Sequence, residues 1–137
     1  MKKVILILAL ISLPLISNAQ NQVDNFIGEY DVIQDDCRIG DSLYGHLESL
    51  VIRKGTSFGR NTDDTFIALN FGWTISEMNL TAFSRVITKT ENGGFLYKPS
   101  KDNFFSMEHI NGDKYLFHFY VETGEYLDDC TYVLNVK

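Results

Sequence analysis

Hydrophobic and polar residues alternate along much of the chain beyond residue 25. In residues 114–122, for example, Phe117 and Phe119 share one face of a predicted strand, while Leu116, His118 and Tyr120 share the other, so that apolar groups occur on both faces. Successive side chains of a strand point to opposite faces of a sheet, so a period of two with many aromatic and β-branched residues predicts half-buried strands. We predict eight strands, at residues 28–36, 45–54, 64–71, 80–89, 94–99, 104–110, 114–122 and 130–136.

Turn residues separate these runs. Asn111-Gly112 lies between two aromatic runs and predicts a tight hairpin, because a type I′ turn needs two residues with positive φ. Residues 74–81 alternate poorly and predict a loop or a single helical turn. Beyond the first residues no apolar stripe of helical period is present, so the pattern predicts an all-β domain.

The N-terminus has the pattern of a secretory signal. Lys2 and Lys3 are basic, residues 4–16 are almost entirely apolar, and the small residue Ala19 precedes a predicted cleavage point. The apolar run is shorter than the roughly 20 residues that cross a bilayer as a helix. We therefore predict a cleavable signal peptide, residues 1–19, no stable membrane anchor after cleavage, and a periplasmic or secreted product.

Charge narrows the range of partners. The full chain has a net charge of −6, with 12 basic and 18 acidic residues; without the two signal-peptide lysines the net charge is −8. A negative surface repels phosphate backbones, which argues against nucleic acid as a partner. The remaining length, residues 20–137, suits a single domain with one core.

The two cysteines, Cys37 and Cys130, predict a disulfide, because an even cysteine count in an exported chain favours pairing. Cys37 follows the first predicted strand and Cys130 begins the last. If these strands pair antiparallel, Val32 lies opposite Asn135. Pairing the first strand with the last closes a sheet, so we predict a closed or nearly closed up-and-down antiparallel barrel; a β-sandwich is the alternative.

Two segments resemble small exported bacterial lipocalin-like proteins, a group of unassigned function. The first is the sequence from Phe26 to Val32, in which Gly28-Glu29-Tyr30 corresponds to the Gly-x-Trp of lipocalins, followed by Cys37. The second runs from Ile110 to Lys114 and continues, after an aromatic strand, to Cys130-Thr131-Tyr132. The resemblance implies a β-barrel.

Sequence motifs of catalysis are not evident. The chain has no Gly-x-Ser-x-Gly, no His-Glu-x-x-His and no phosphate-binding glycine loop. The histidines, His46, His109 and His118, are not at metal-ligand spacing, which favours hydrogen-bonded histidines on half-exposed strands. We predict no catalytic residues and no cofactor, and an enzyme is the weakest of the function classes.

Four carboxylates flank the predicted disulfide: Asp35, Asp36, Asp128 and Asp129. Hard cations such as Ca²⁺ bind clustered oxygen ligands, so these residues form a candidate cation site. The register that aligns the cysteines also places Arg38 opposite Asp129 and two residues from Asp36. The favoured interpretation is therefore a salt-linked surface without a metal.

Aromatic side chains are the other candidates for binding. A small barrel is wide enough to be filled by its own side chains or to hold one small ligand. We predict a binding module for a small apolar or amphipathic ligand; the alternative is a module that binds an envelope or extracellular protein and has a solid core. An internal cavity of about 300 Å³ or more would favour the first. The candidate ligand-binding residues are Tyr30, Trp73, Tyr97, Phe104, Phe117 and Phe119.

Overall fold

The structure is a computed structural model that describes residues 22–39, 44–55 and 63–137, with only the backbone described at residues 38 and 39. The predicted signal peptide lies outside these residues. No helix in the described part of the chain is long and apolar enough to span a membrane. Nine strands follow in chain order: β1 (Gly28–Ile39), β2 (Ser49–Lys54), β3 (Thr65–Asn70), β4 (Ile75–Asn79), β5 (Ile87–Lys89), β6 (Phe95–Ser100), β7 (Asn103–Asn111), β8 (Lys114–Thr123) and β9 (Tyr126–Val136).

The strands form one antiparallel sheet, in the order β4-β3-β2-β1-β9-β8-β7-β6-β5, that curls into a half-barrel. The predicted all-β, barrel-like fold is confirmed. The first and last strands pair, as the cysteines predicted, and the disulfide joins them. Their pairing does not close the sheet. It joins two meanders, β1–β4 and β5–β9, at the centre, and β4 and β5 become the two edges.

A β-bulge at Ile33 sets the register between β1 and β9. Cys37 lies opposite Cys130, as predicted, but Val32 lies opposite Leu134 rather than Asn135. The shift follows from the alternation of faces. Val32 and Cys37 both pack towards the core, yet they are five residues apart, so one extra residue must be absorbed between them.

Residues 74–89 differ from the prediction. The predicted loop contains β4, and the predicted strand at 80–89 is instead a turn, a 3₁₀ turn at Ser84–Val86 and the three-residue β5. β4 is an edge strand whose first three residues are exposed. An edge strand with exposed side chains needs no apolar alternation, so its sequence carries no strand pattern.

The core fills the concave face of the sheet. Buried residues recur at every second position of the central strands, so that Phe117 of β8 and Tyr132 of β9 are fully buried and face each other. The predicted hairpin is present, but the predicted type I′ turn is wrong: Gly112 has φ +50°, whereas Asn111 lies in β7, and among the described residues only glycines have positive φ. The convex face bears half-buried and polar residues.

The buried side chain of Tyr30 makes the stability of the protein depend on pH in the alkaline range. Its ring is 2% exposed, and its hydroxyl donates a hydrogen bond to the carbonyl of Phe26 at 2.6 Å. Burial, assisted by the nearby Tyr115, raises the pKa of Tyr30 from 10.0 to about 12. The unfolded chain therefore loses this proton at lower pH than the folded protein, and deprotonation favours unfolding.

We expect the free energy of unfolding to be unaffected by Tyr30 below about pH 10 and to fall as the pH rises from about 10 towards 12. Urea unfolding at several alkaline pH values measures this slope. The variant Tyr30→Phe, which has no proton to lose, should show a shallower fall in that window. An identical slope in both proteins would contradict the assignment.

Candidate ligand-binding site

A cavity of about 140 Å³ lies inside the half-barrel, where its two ends approach each other. One wall comes from β3 and β4, and the other from β6, β7 and β8. The cavity is therefore at the open seam of the barrel, between elements that lie far apart in the order of the sheet. The lining side chains are Tyr44, Ile67, Leu69, Phe71, Ser76, Met78, Tyr97, Asn103, Phe105, Phe119 and Val121.

Strand alternation accounts for most of this lining. Ile67 and Leu69 on β3 are two residues apart and buried, as are Phe119 and Val121 on β8. Each pair points to the concave face because every second side chain of a strand does so. The curl of the sheet then brings the β3 pair and the β8 pair to opposite sides of one space.

Aromatic rings form much of the wall. Tyr44, Phe71 and Phe119 contact one another, with ring centroids 5.2 to 5.6 Å apart. On the other side Tyr97 stacks on Phe105 at 4.9 Å. Such pairs hold the rings in fixed positions and favour flat apolar groups between them.

The polar groups that line the cavity are uncharged. Ser76 and Asn103 supply a hydroxyl and an amide, and Tyr44 and Tyr97 supply phenols. Burial raises the pKa of Tyr97, which keeps its phenol neutral. Among the described residues that line the cavity, none is an acid, lysine, arginine or histidine. An ion placed here would lose its hydration without gaining a counter-charge.

The six predicted ligand residues divide between cavity, core and surface. Tyr97 and Phe119 line the cavity. Tyr30 and Phe117 are core residues, the latter packed on Phe105 and Tyr132. The remaining two, Phe104 and Trp73, lie elsewhere.

Phe104 lies on the convex face, where it stacks on Tyr120 with ring centroids 5.0 Å apart. Trp73 lies in the β3–β4 turn and is 71% exposed. Its indole Nε1 donates a hydrogen bond to the backbone carbonyl of Tyr44 at 2.7 Å. Trp73 therefore helps to position Tyr44, whose ring lines the cavity.

Sequence reasoning missed most of the lining. Ile67, Leu69 and Met78 were predicted only as strand or loop residues, and Tyr44 was not singled out. The alternation in β3 was a usable signal for the inward face. Nothing local in the sequence indicates that β3 and β8 face each other across a cavity.

The disulfide is present between Cys37 and Cys130, with Cα atoms 4.0 Å apart. Among the described residues no cysteine is free. Cys130 is fully buried and Cys37 is partly exposed. A buried disulfide is typical of exported proteins.

The four flanking carboxylates lie on two faces of the sheet. Asp36 and Asp129 line a depression on the convex face together with His118. Asp35 and Asp128 occur at the alternate positions, on the face of the disulfide; Asp128 is 1% exposed. The alternation of side chains therefore places two of the four carboxylates on each face of the sheet, so they do not form the single candidate cation site.

Arg38 lies opposite Asp129 in the register, as predicted, while its side chain lies outside the described atoms.

The histidines are hydrogen-bonded, as predicted for His109 and His118. His118 Nε2 lies 2.8 Å from a carboxylate oxygen of Asp129, and His109 Nε2 lies 2.8 Å from the carbonyl of Gly112. His46 Nδ1 lies 2.8 Å from a carboxylate oxygen of Asp35.

Comparison with protein-family models, with curated proteins and with solved structures finds no match to the chain. The activity of the site must therefore be inferred from its geometry.

Proposed function

We propose that this protein is an exported, lipocalin-like binding module that holds a small, uncharged, largely apolar ligand at the seam of its half-barrel. The proposal rests on a cavity with aromatic walls whose described lining includes no Asp, Glu, Lys, Arg or His. Hydroxyl and amide groups at Ser76 and Asn103 suit a ligand with one polar substituent. The predicted signal peptide and the disulfide support a periplasmic or secreted location.

The cavity volume limits the size of the ligand. A volume of about 140 Å³ does not reach the roughly 300 Å³ that would favour a carrier of drug-sized ligands over a module with a solid core. An apolar cavity of about 150 Å³ holds benzene. The ligand is therefore about one aromatic ring in size, and a long-chain fatty acid does not fit.

We expect phenol and benzene to bind saturably, with dissociation constants on the order of 0.1–1 mM, and hexadecanoate not to bind in the cavity. The chain has three methionines, and only Met78 and Met107 lie outside the predicted signal peptide. Met78 lines the cavity, whereas Met107 is buried elsewhere in the core. Methyl NMR should thus show ligand-dependent shifts for Met78 while the Met107 signal stays in place.

A matched pair of variants tests the location. Ser76→Phe places a ring at the cavity and should abolish the Met78 shifts, whereas Ser84→Phe, at an exposed position of the 3₁₀ turn, should leave them intact. If neither phenol nor benzene produces saturable Met78 shifts at several millimolar, the proposed ligand class is wrong.

A second candidate function has support from the edge of the sheet. Trp73, just before β4, and Ile75, its first residue, are 71% and 66% exposed, and the outer edge of β4 has no partner strand among the described residues. Large exposed apolar groups beside such an edge suit an extended segment of another envelope or extracellular protein, which would add a strand to β4. Failure of the phenol and benzene experiment would favour this second function.

A further inference from the structure

Asp35, Cys37 and His46 bring three kinds of metal ligand together beside the disulfide. One ligand atom of each lies within 4.8 Å of the others. His46 Nδ1 is 2.8 Å from a carboxylate oxygen of Asp35 and 3.8 Å from Cys37 Sγ. Cys130 Sγ is bonded to Cys37 Sγ but is not among the ligand atoms within that distance, so it can join the other three ligands only after the bond is opened and the two sulfurs separate. These four side chains lie on three separate segments of the chain, and we refer to them as the disulfide cluster.

In the oxidised protein the cluster offers only two ligands. Each sulfur is bonded to the other and carries no thiolate charge, and a thiolate is the form of cysteine that binds metal. The carboxylate of Asp35 and the imidazole of His46 remain, which is too few for a structural zinc site. The oxidised state therefore has no closed metal centre here.

Reduction changes the donor set. An external dithiol supplies two electrons and two protons and becomes a disulfide itself, while Cys37 and Cys130 become thiols. On metal binding, each thiol releases its proton to solvent. Two thiolates, one imidazole and one carboxylate then make up four ligands, the number that a tetrahedral Zn²⁺ ion takes.

The distances around His46 suit such an ion. Zn²⁺ bonds of about 2.0–2.1 Å to nitrogen, 2.3 Å to sulfur and 2.0–2.2 Å to oxygen place neighbouring nitrogen and sulfur ligands about 3.5 Å apart and nitrogen and oxygen about 3.3 Å apart in a tetrahedron. The observed separations of 3.8 and 2.8 Å differ from these by a few tenths of an ångström. His46 and Asp35 are also exposed, so solvent metal can reach them.

We propose that opening of the Cys37–Cys130 disulfide by a dithiol creates a Zn²⁺ site in which Cys37, Cys130, His46 and Asp35 are the ligands. The disulfide then acts as a switch: the oxidised protein does not hold the metal, and the reduced protein does. This site is separate from the cavity at the seam, and its test does not depend on the ligand-binding proposal.

The test compares Zn²⁺ binding by the purified oxidised and reduced protein, measured by competition with a chromophoric chelator, with Co²⁺ as a spectroscopic substitute. We expect one Zn²⁺ per reduced chain, none per oxidised chain, and a cobalt spectrum with tetrahedral bands and thiolate charge transfer. His46→Gln and Asp35→Asn should each weaken binding by more than roughly 10–100-fold, since loss of a residue that only supports a ligand already costs that much.

The convex face provides a matched control. His118 and Asp129 form a second histidine–aspartate pair at 2.8 Å, without a cysteine on their face of the sheet. His118→Gln should leave Zn²⁺ affinity within twofold of the unaltered protein. Equal weakening by His118→Gln and His46→Gln, or undiminished binding by both His46→Gln and Asp35→Asn, would overturn the proposal.

Reduction also removes a stabilising crosslink, so far-UV circular dichroism should accompany the titration. A metal that binds the folded state stabilises it. Zn²⁺ should therefore raise the melting temperature of the reduced protein, or restore its β-sheet spectrum if reduction unfolds it, and should do neither in His46→Gln. Binding by an unfolded reduced chain without recovery of the sheet would overturn the proposal as well.

Discussion

Removal of the Cys37–Cys130 disulfide should lower the free energy of unfolding by about 4–5 kcal/mol in metal-free buffer. The crosslink joins residues 93 positions apart, and in the chain-entropy model such a crosslink restricts the unfolded chain by that amount. A small domain has a total stability of about 5–15 kcal/mol, so reduction should remove between about a third and nearly all of it. Urea unfolding of the oxidised and reduced protein, each with EDTA, measures the difference.

The double variant Cys37→Ala, Cys130→Ala separates the crosslink from the reductant. Its stability should match that of the reduced protein to within the cost of the small cavity at Cys130, and added dithiol should not change it further. If the oxidised and reduced proteins differed by less than about 1 kcal/mol, the crosslink would contribute little and the pairing of β1 and β9 would stand on its own contacts.

Phe117→Ala should destabilise the protein by about 3–5 kcal/mol. Phe117 is fully buried and its ring packs on Phe105 and Tyr132, so truncation leaves a cavity in the middle of the concave core. The neighbouring Leu116 points to the opposite face and is half-buried, and Leu116→Ala should cost about 1 kcal/mol. Urea midpoints with unchanged m-values give both quantities.

This comparison also tests the assignment of Phe117 to the core rather than to the ligand site. The variant Phe117→Leu keeps most of the apolar volume and should still show the Met78 response to phenol. Loss of that response in a folded Phe117→Leu protein would place this ring in the cavity, and comparable stability losses for Phe117→Ala and Leu116→Ala would contradict the inward direction of Phe117.

Local sequence patterns were sufficient for the central strands. In β7, β8 and β9 the inward side chains pack in the core and the alternate side chains lie on the less buried convex face, so the alternation is clear. The cysteines added one long-range pairing, which was correct at Cys37 and Cys130 and displaced by one residue at Val32. A bulge leaves no local mark in the sequence; only the need to turn both Val32 and Cys37 inward reveals it.

The edge strand β4 and the lining of the cavity could not be predicted from local sequence patterns. β4 is an edge strand whose first three side chains are exposed, so its sequence resembles that of a loop. The cavity lies between β3 and β8, which are four places apart in the order of the sheet. The contact of His46 with Asp35 similarly joins two segments whose proximity follows from the path of the chain.

The central place of β1 and β9 has a consequence for how the protein comes to be folded. In the sheet, β1 lies between β2 and β9. Its neighbour β2 follows it directly in the chain, whereas β9 is synthesised after all the other described strands. Until residues 126–136 are present, the two meanders have no shared strand pair, and the contacts that unite them span almost the whole domain. Such non-local pairing makes folding slow. If the protein is exported as proposed, its sheet is completed only after residues 126–136 have crossed the membrane.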